Sequence, residues 1–250
     1  MIRQFIIGGL FVMMLTGTTN AGEKKLPEQP PLIPREVLFG NPVTTSPEIS
    51  PDGKKLAYLA PVKNVLNVWV RTIGGNDEVP VTRDIERGVR RYFWAADSAH
   101  ILYLQDAGGN ENWRLFRVDL KTLGTTDLTP FDNVQVRVIE HNKDFPNDLI
   151  ISMNKEDEKL HDVYHCDLTT GVLALVEKNP GNVVEWIVDA SLKVRGALAS
   201  LPDGGFDLLI RKDDSSAWEK ALTWDFEDSS SSGAVGFTRD GSSIFLLDSR

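Results

Sequence analysis

The chain repeats itself. From residue 46 onward a turn rich in Pro, Asp, Ser or Gly leads into a short apolar run, a polar loop and a second apolar run. The pattern then restarts. Ser50-Pro51-Asp52-Gly53 precedes Leu56-Ala57-Tyr58-Leu59, and Ala95-Ala96-Asp97-Ser98 precedes Ile101-Leu102-Tyr103-Leu104. Phe145-Pro146-Asn147-Asp148 precedes Leu149-Ile150-Ile151, and Thr238-Arg239-Asp240-Gly241 precedes Ile244-Phe245-Leu246-Leu247. In the fourth unit either Asp189-Ala190-Ser191 or Leu201-Pro202-Asp203-Gly204 marks the turn. With Asp52, Asp97, Asp148, Asp189 and Asp240 as markers, the spacings are 45, 51, 41 and 51. Short strands punctuated by turns at a period of about 40–50 residues are the signature of β-propeller blades.

The second run of each unit alternates. Phe116, Val118 and Leu120 share one face of a strand whose other face carries Arg117 and Asp119. Tyr164, Cys166 and Leu168 repeat the arrangement, and Val68-Trp69-Val70-Arg71 is the first unit's version. Period-two alternation belongs to a half-buried strand. No long amphipathic helix follows residue 46, and residues 84–91 and 217–222 have room for about one helical turn each. The fold class expected is all-β, a propeller with blades of four antiparallel strands. About four blades and the start of a fifth should occupy 46–250. The fifth unit starts near Phe237, and Arg250 comes just after its first clear strand. An incomplete ring leaves backbone groups unpaired, so the chain is expected to be the N-terminal part of a larger protein.

Residues 1–21 read as an export signal. Arg3 supplies the positive start, every residue from Phe5 to Leu15 is apolar or Gly, and Thr19-Asn20-Ala21 offers a small-residue cleavage site. That apolar run is 11 residues, against the roughly 20 needed to span a bilayer. A stable membrane anchor is therefore not expected, and the location implied is periplasmic or extracellular. Residues 22–45 form an expected strap. Pro27, Pro30, Pro31 and Pro34 keep it extended, with a short helix through Arg35–Phe39 ended by Gly40. The formal charge is -9, which argues against nucleic acid as a partner. A lone Cys166 excludes an intrachain disulfide and is expected to be buried as a small hydrophobe.

Candidate chemistry is sparse. His161 and His165 share a strand face about 13 Å apart, too far for one zinc ion with bonds of about 2 Å. No metal or cofactor is expected. No Gly-x-Ser-x-Gly elbow occurs. His100 and His141 read as isolated, and Ser229–Ser232 as a flexible loop, so no catalytic residue is assigned. Asp106, Glu111, Glu156, Asp157, Glu158, Asp213 and Asp214 are expected in loops between first and second apolar runs. At one end of a ring they would collect a cationic peptide or a cation. Gly108-Gly109-Asn110-Glu111-Asn112-Trp113 mixes turn residues, polar donors and an aromatic. Asn110, Glu111, Asn112 and Trp113 are the candidates for orienting a substrate or forming an interface.

Four stretches together resemble the prolyl oligopeptidase family of serine peptidases, nearest its dipeptidyl and acylaminoacyl branches. They are Pro34-Arg35-Glu36-Val37-Leu38-Phe39-Gly40-Asn41-Pro42, Ile49–Gly53 with Leu56-Ala57-Tyr58, Trp94–Ser98 with Ile101–Leu104, and Asn110–Trp113 leading into Leu115–Leu120. The resemblance implies a propeller that gates access and orients short peptides. It also implies a C-terminal α/β-hydrolase domain, not contained in this chain, that holds a Ser-Asp-His triad and receives the strap. The paired glutamates that fix a free N-terminus in some relatives have no clear match. The alternative is a non-enzymatic envelope propeller that binds a protein or peptide partner.

Overall fold

The computed structural model describes residues 30–250, so the expected signal and the first part of the strap lie outside the described residues. The segment through Gly40 and the segment Asn41–Arg250 are separate compact units. In the first, α1 (Arg35–Phe39) starts after Pro34. Gly40 N–H donates to Glu36 O at 3.0 Å. A Cβ at Gly40 would sit 2.2 Å from Glu36 O, so only glycine can follow this turn. All five helical residues are exposed, including Val37, Leu38 and Phe39.

The second unit is a series of antiparallel meanders. The first sheet is β1 (Thr45–Ile49), β2 (Lys55–Val62), β3 (Val65–Thr72) and β4 (Val79–Pro80), paired in that order. The second is β5 (Arg91–Trp94), β6 (His100–Gln105), β7 (Arg114–Asp119) and β8 (Thr125–Asp127). The third is β9 (Val136–Glu140), β10 (Asp148–Asp157), β11 (Leu160–Asp167) and β12 (Leu173–Glu177). The fourth is β13 (Val183–Val188), β14 (Val194–Ser200), β15 (Phe206–Ile210) and β16 (Glu219–Trp224). The short α2 (Phe226–Ser229) precedes a two-stranded sheet of β17 (Gly233–Phe237) and β18 (Ile244–Leu247). Four-stranded meanders repeated along the chain are propeller blades, as expected.

Several details correct the sequence expectation. The two apolar runs of each unit are the second and third strands, and a further first strand precedes them. The fifth unit accordingly begins at Gly233 with β17, ahead of Phe237. Residues 217–222 hold no helical turn, since β16 occupies Glu219–Trp224, and residues 84–90 are irregular, with bends at 85–87, leading into β5 at Arg91. Phe226–Ser229 is helical because the Asp225 carboxylate accepts the N–H groups of Glu227 and Asp228. Asp189 marks the fourth unit's turn, whereas Asp203 sits in the β14–β15 hairpin. Asp148 already belongs to β10.

Side chains buried between blades form the core. Leu102, Leu115, Leu149, Ile151 and Met153 join the second and third blades, and Cys166 is fully buried among them. Ala57, Val68, Tyr92, Trp94 and Ile101 join the first and second. Ile150, Val163, Trp186 and Val194 join the third and fourth. Polar staples reinforce these seams. Tyr92 Oη donates to Ser46 O, Trp94 Nε1 to Glu48 O at 3.2 Å, and Trp186 Nε1 to His161 O at 2.9 Å. Within a blade, Thr82 Oγ1 accepts Val68 N–H at 2.9 Å and Thr129 Oγ1 accepts Leu115 N–H at 2.8 Å. The same 14-residue reach in two blades shows the repeat in hydrogen bonds as well as in strands.

The first strands carry a second regularity. Thr45 to Glu48 on β1 spans one residue more than Leu59 to Ala57 opposite it on β2. Ile139 on β9, Val184 on β13 and Val235 on β17 are likewise extra residues against their second strands. Each is a β-bulge, which bends a strand and raises its twist. The β2–β3, β6–β7 and β14–β15 pairings run without a slip.

Candidate functional site

Two grooves flank β9. One, of about 650 Å³, lies between β9 and β13 and is lined by Asn112, Gln135, Arg137, Ser152, Asn154 and His161, among others. The other, of about 870 Å³, lies between β5 and β9 and includes Arg90, Arg91, Phe93, Trp113, Arg137 and His141. Gln135 and Arg137 line both. They alternate with the buried Val134 and Val136, so the apolar residues hold the lead-in and start of β9 down while the polar ones stand up from it.

The loop expected to carry the site reaches this place. Asn112 lines the first groove and Trp113 the second. Trp113 packs on the core between blades two and three, and its carbonyl accepts Val136 N–H at 2.8 Å. Glu111 stands at φ 60, Gly109 at φ 87, and a Cβ at Gly109 would meet the Arg87 guanidinium at 2.8 Å. The buried Asp106 organises the bend, accepting Glu111 N–H at 3.1 Å. Glu111 O in turn accepts Gln135 Nε2 at 3.1 Å. Gln135 Oε1 accepts both Nε and Nη2 of Arg137, at 3.2 and 3.0 Å. The loop thus fixes a guanidinium on β9 through one amide. Asn110 and Glu111 are exposed. Asn110 Oδ1 accepts Asn112 N–H at 3.0 Å, so its side chain shapes the loop.

His161, on β11, shares the first groove with Gln135 and Arg137, with β10 between the two strands. Burial and the neighbouring Arg137 charge, only partly offset by Asp162, lower its pKa to about 4. Its Nε2 is buried with no partner among the described residues. His141 stacks on Phe93 with ring centroids 4.7 Å apart, and burial also lowers its pKa. Both rings are therefore neutral at pH 7. Sequence reading missed Gln135, Arg137 and the setting of His161. The available signal was the alternation Val134-Gln135-Val136-Arg137-Val138.

Other candidates disperse. His165 Nε2 lies 2.6 Å from Asp148 Oδ1, a contact within its own blade. His100 is not isolated. Its Nδ1 is 2.6 Å from Asp97 Oδ2 and its Nε2 is 3.6 Å from Asp119 Oδ2, which ties two turns together. The acidic loops do not gather at one end. Asp106, Glu111 and Glu158 belong to the second-to-third connections, Glu156 and Asp157 are not loop residues but the end of β10, and Asp213 and Asp214 follow a third strand. In a meander these connections lie at opposite ends of the blade. Several of the acids are also occupied internally. Asp106 is buried near Arg87, Asp214 lies 3.1 Å from Lys193, and the Ser215 and Ser216 hydroxyls hold Asp213 at a pKa of about 2. Among the described residues no group of three or more His, Cys, Asp or Glu is placed to hold a metal ion.

The comparisons fit this architecture. The chain is 41% identical over 220 residues to dipeptidyl aminopeptidase BIII of Pseudoxanthomonas mexicana, covering 88% of this chain and 32% of that protein. It is 32% identical over 183 residues to dipeptidyl peptidase family member 6 of Caenorhabditis elegans, covering 69% of this chain and 24% of the relative. The chain therefore spans a third or less of the curated relatives it matches. No protein-family model matches it. A structure described as a TolB from Agrobacterium tumefaciens superposes with a TM-score of 0.50 at 11% identity, over 84% of this chain and 78% of that one. TolB from Acinetobacter baumannii gives 0.49 at 14% identity, over 83% and 54%. The likeness at 0.50 bears on the fold alone.

Proposed function

We propose, from the premise that this chain is a homologue of the dipeptidyl peptidases, that it forms the propeller part of an exported serine-type peptidase acting on short peptides. The sequence identity of 41% across 88% of the chain carries this reading. In it the hydrolytic serine, its histidine base and the oxyanion hole belong to an α/β-hydrolase domain outside this chain. A serine attacks the peptide carbonyl, the histidine moves the proton to the leaving amine, and backbone donors hold the developing charge.

The contribution of 1–250 is to admit and orient. Grooves of about 650 and 870 Å³ are of the size that takes a small ligand. In the parent protein a completed ring of blades around them is to exclude folded proteins by size. The exposed Val37, Leu38 and Phe39 of α1 are apolar surface for the hydrolase domain to cover.

The parent protein is the material to test. It should release p-nitroaniline from dipeptidyl p-nitroanilides and lose that activity to a fluorophosphonate, while 1–250 alone releases none. A folded parent that neither hydrolyses these substrates nor takes the fluorophosphonate overturns the reading. Export is checked separately, by finding Gly22 as the N-terminal residue of protein recovered outside the cytoplasm.

A further inference from the structure

The groove between β5 and β9 carries a charge pattern that a general peptide channel does not require. Arg90, Arg91 and Arg137 all line it, with Glu140 the acidic residue there. In a chain of net charge -9, carboxylates are plentiful. Arg87, Arg114, Arg195, Arg211, Arg239 and Arg250 each have one within 4.0 Å, while Arg35, Arg71, Arg83 and Arg117, none of them lining this groove, have none among the described residues, so it is the gathering of three in one groove that stands out. Arg90, Arg91 and Arg137 have no carboxylate partner among the described residues, and all three are exposed. Three unneutralised guanidinium groups in one groove repel one another, so their convergence costs stability unless an anion binds.

The groove is also shaped for more than an ion. Phe93 stacked on His141, together with Trp113, supplies aromatic surface beside the guanidinium groups. Gln135 holds Arg137 by Nε and Nη2, leaving Nη1 free to donate and the plane of the group fixed. Planar, pre-oriented guanidinium groups suit carboxylates, which they bind in bidentate fashion. An aromatic wall next to them suits a neighbouring apolar side chain.

We infer that the β5–β9 groove is a recognition site for acidic peptides, with Arg90, Arg91 and Arg137 receiving side-chain or terminal carboxylates and the Phe93–His141 pair taking an adjacent apolar residue. This rests on the peptidase reading only in taking a peptide as the ligand.

The test is direct binding to the 1–250 chain, followed by fluorescence anisotropy. The probes are a fluorescein-labelled Gly-Glu-Phe-Glu-Gly amide and its Gly-Gln-Phe-Gln-Gly isostere. The acidic peptide should bind about tenfold more tightly at low salt, with the gap narrowing as salt rises. Arg91→Ala and Arg137→Ala should each shrink that preference several-fold, whereas Lys178→Ala should leave it. Equal binding of the two peptides, no binding of either, or a preference that survives both arginine variants overturns the assignment. Displacement by inorganic phosphate at equal concentration overturns it too, by showing a general anion site. Hydrolysis of a neutral dipeptidyl substrate by the parent protein reads the peptidase proposal independently, so the two can fail separately.

Discussion

The second and third strands of each blade and the first strands solve different problems. The former, such as β10 and β11, are buried on both faces and paired rung for rung over Asp148–Met153. The latter are edges, four of them bulged, and β9 exposes Arg137 midway along. One set fills the blade interior, while the other gives one side to the inter-blade core, through Tyr92, Trp94 and Trp186, and another to solvent, where the chemistry is presented. The division teaches where substitutions should hurt folding and where they should hurt only binding.

The sharpest contrast is in reactivity. Burial pushes the Cys166 thiol up to about 11. It should be silent toward Ellman's reagent at pH 8 in the native state and react fully in urea. Native labelling at the rate of a free thiol would break the comparison at its centre. Next comes the core. Leu149→Ala or Ile151→Ala, both fully buried, should cost about 2–5 kcal/mol in urea denaturation. A loss under about 1 kcal/mol would mean the middle strands do not hold the blades together. Tyr92→Phe removes the hydroxyl that donates to Ser46 O and should cost about 1 kcal/mol.

A pH effect is smaller still. His161 takes its proton near 6.5 when unfolded and near 4 when folded. Between those values the unfolded chain binds more protons, so stability present above pH 6.5 is lost as pH falls toward 4. The slope of melting temperature against pH in that window should flatten in His161→Gln. The smallest effect is expected where a first strand faces solvent. Arg137→Ala should move stability by no more than about 0.5 kcal/mol, although it removes the fixed charge between the two grooves. A core-sized loss there would erase the division.

The same division explains what could be read in advance. Strands such as Leu115–Leu120 announce themselves by alternation, and the turns before the second strands by Asp and Gly. The first strands were illegible because a bulge shifts the alternation by one residue, as Ile139 does after Val138. The fourth strands were illegible where they are short, as with Val79–Pro80. The Asn110–Trp113 loop was visible from its turn residues. Its partners Gln135 and Arg137 were not, because only the packing of the second blade on the third brings residues 111 and 135 together.

The bulges also decide how a guest is held. An unbroken strand edge offers any extended chain a long run of free N–H and C=O groups, and a guest zipped on by its backbone is gripped whatever its sequence. Slipping one rung in the middle of β9 and of β13 cuts that run into short lengths. The wall thus resists becoming a template. For the proposed peptide guest, discrimination would then fall to side chains, and one that has been read could let go.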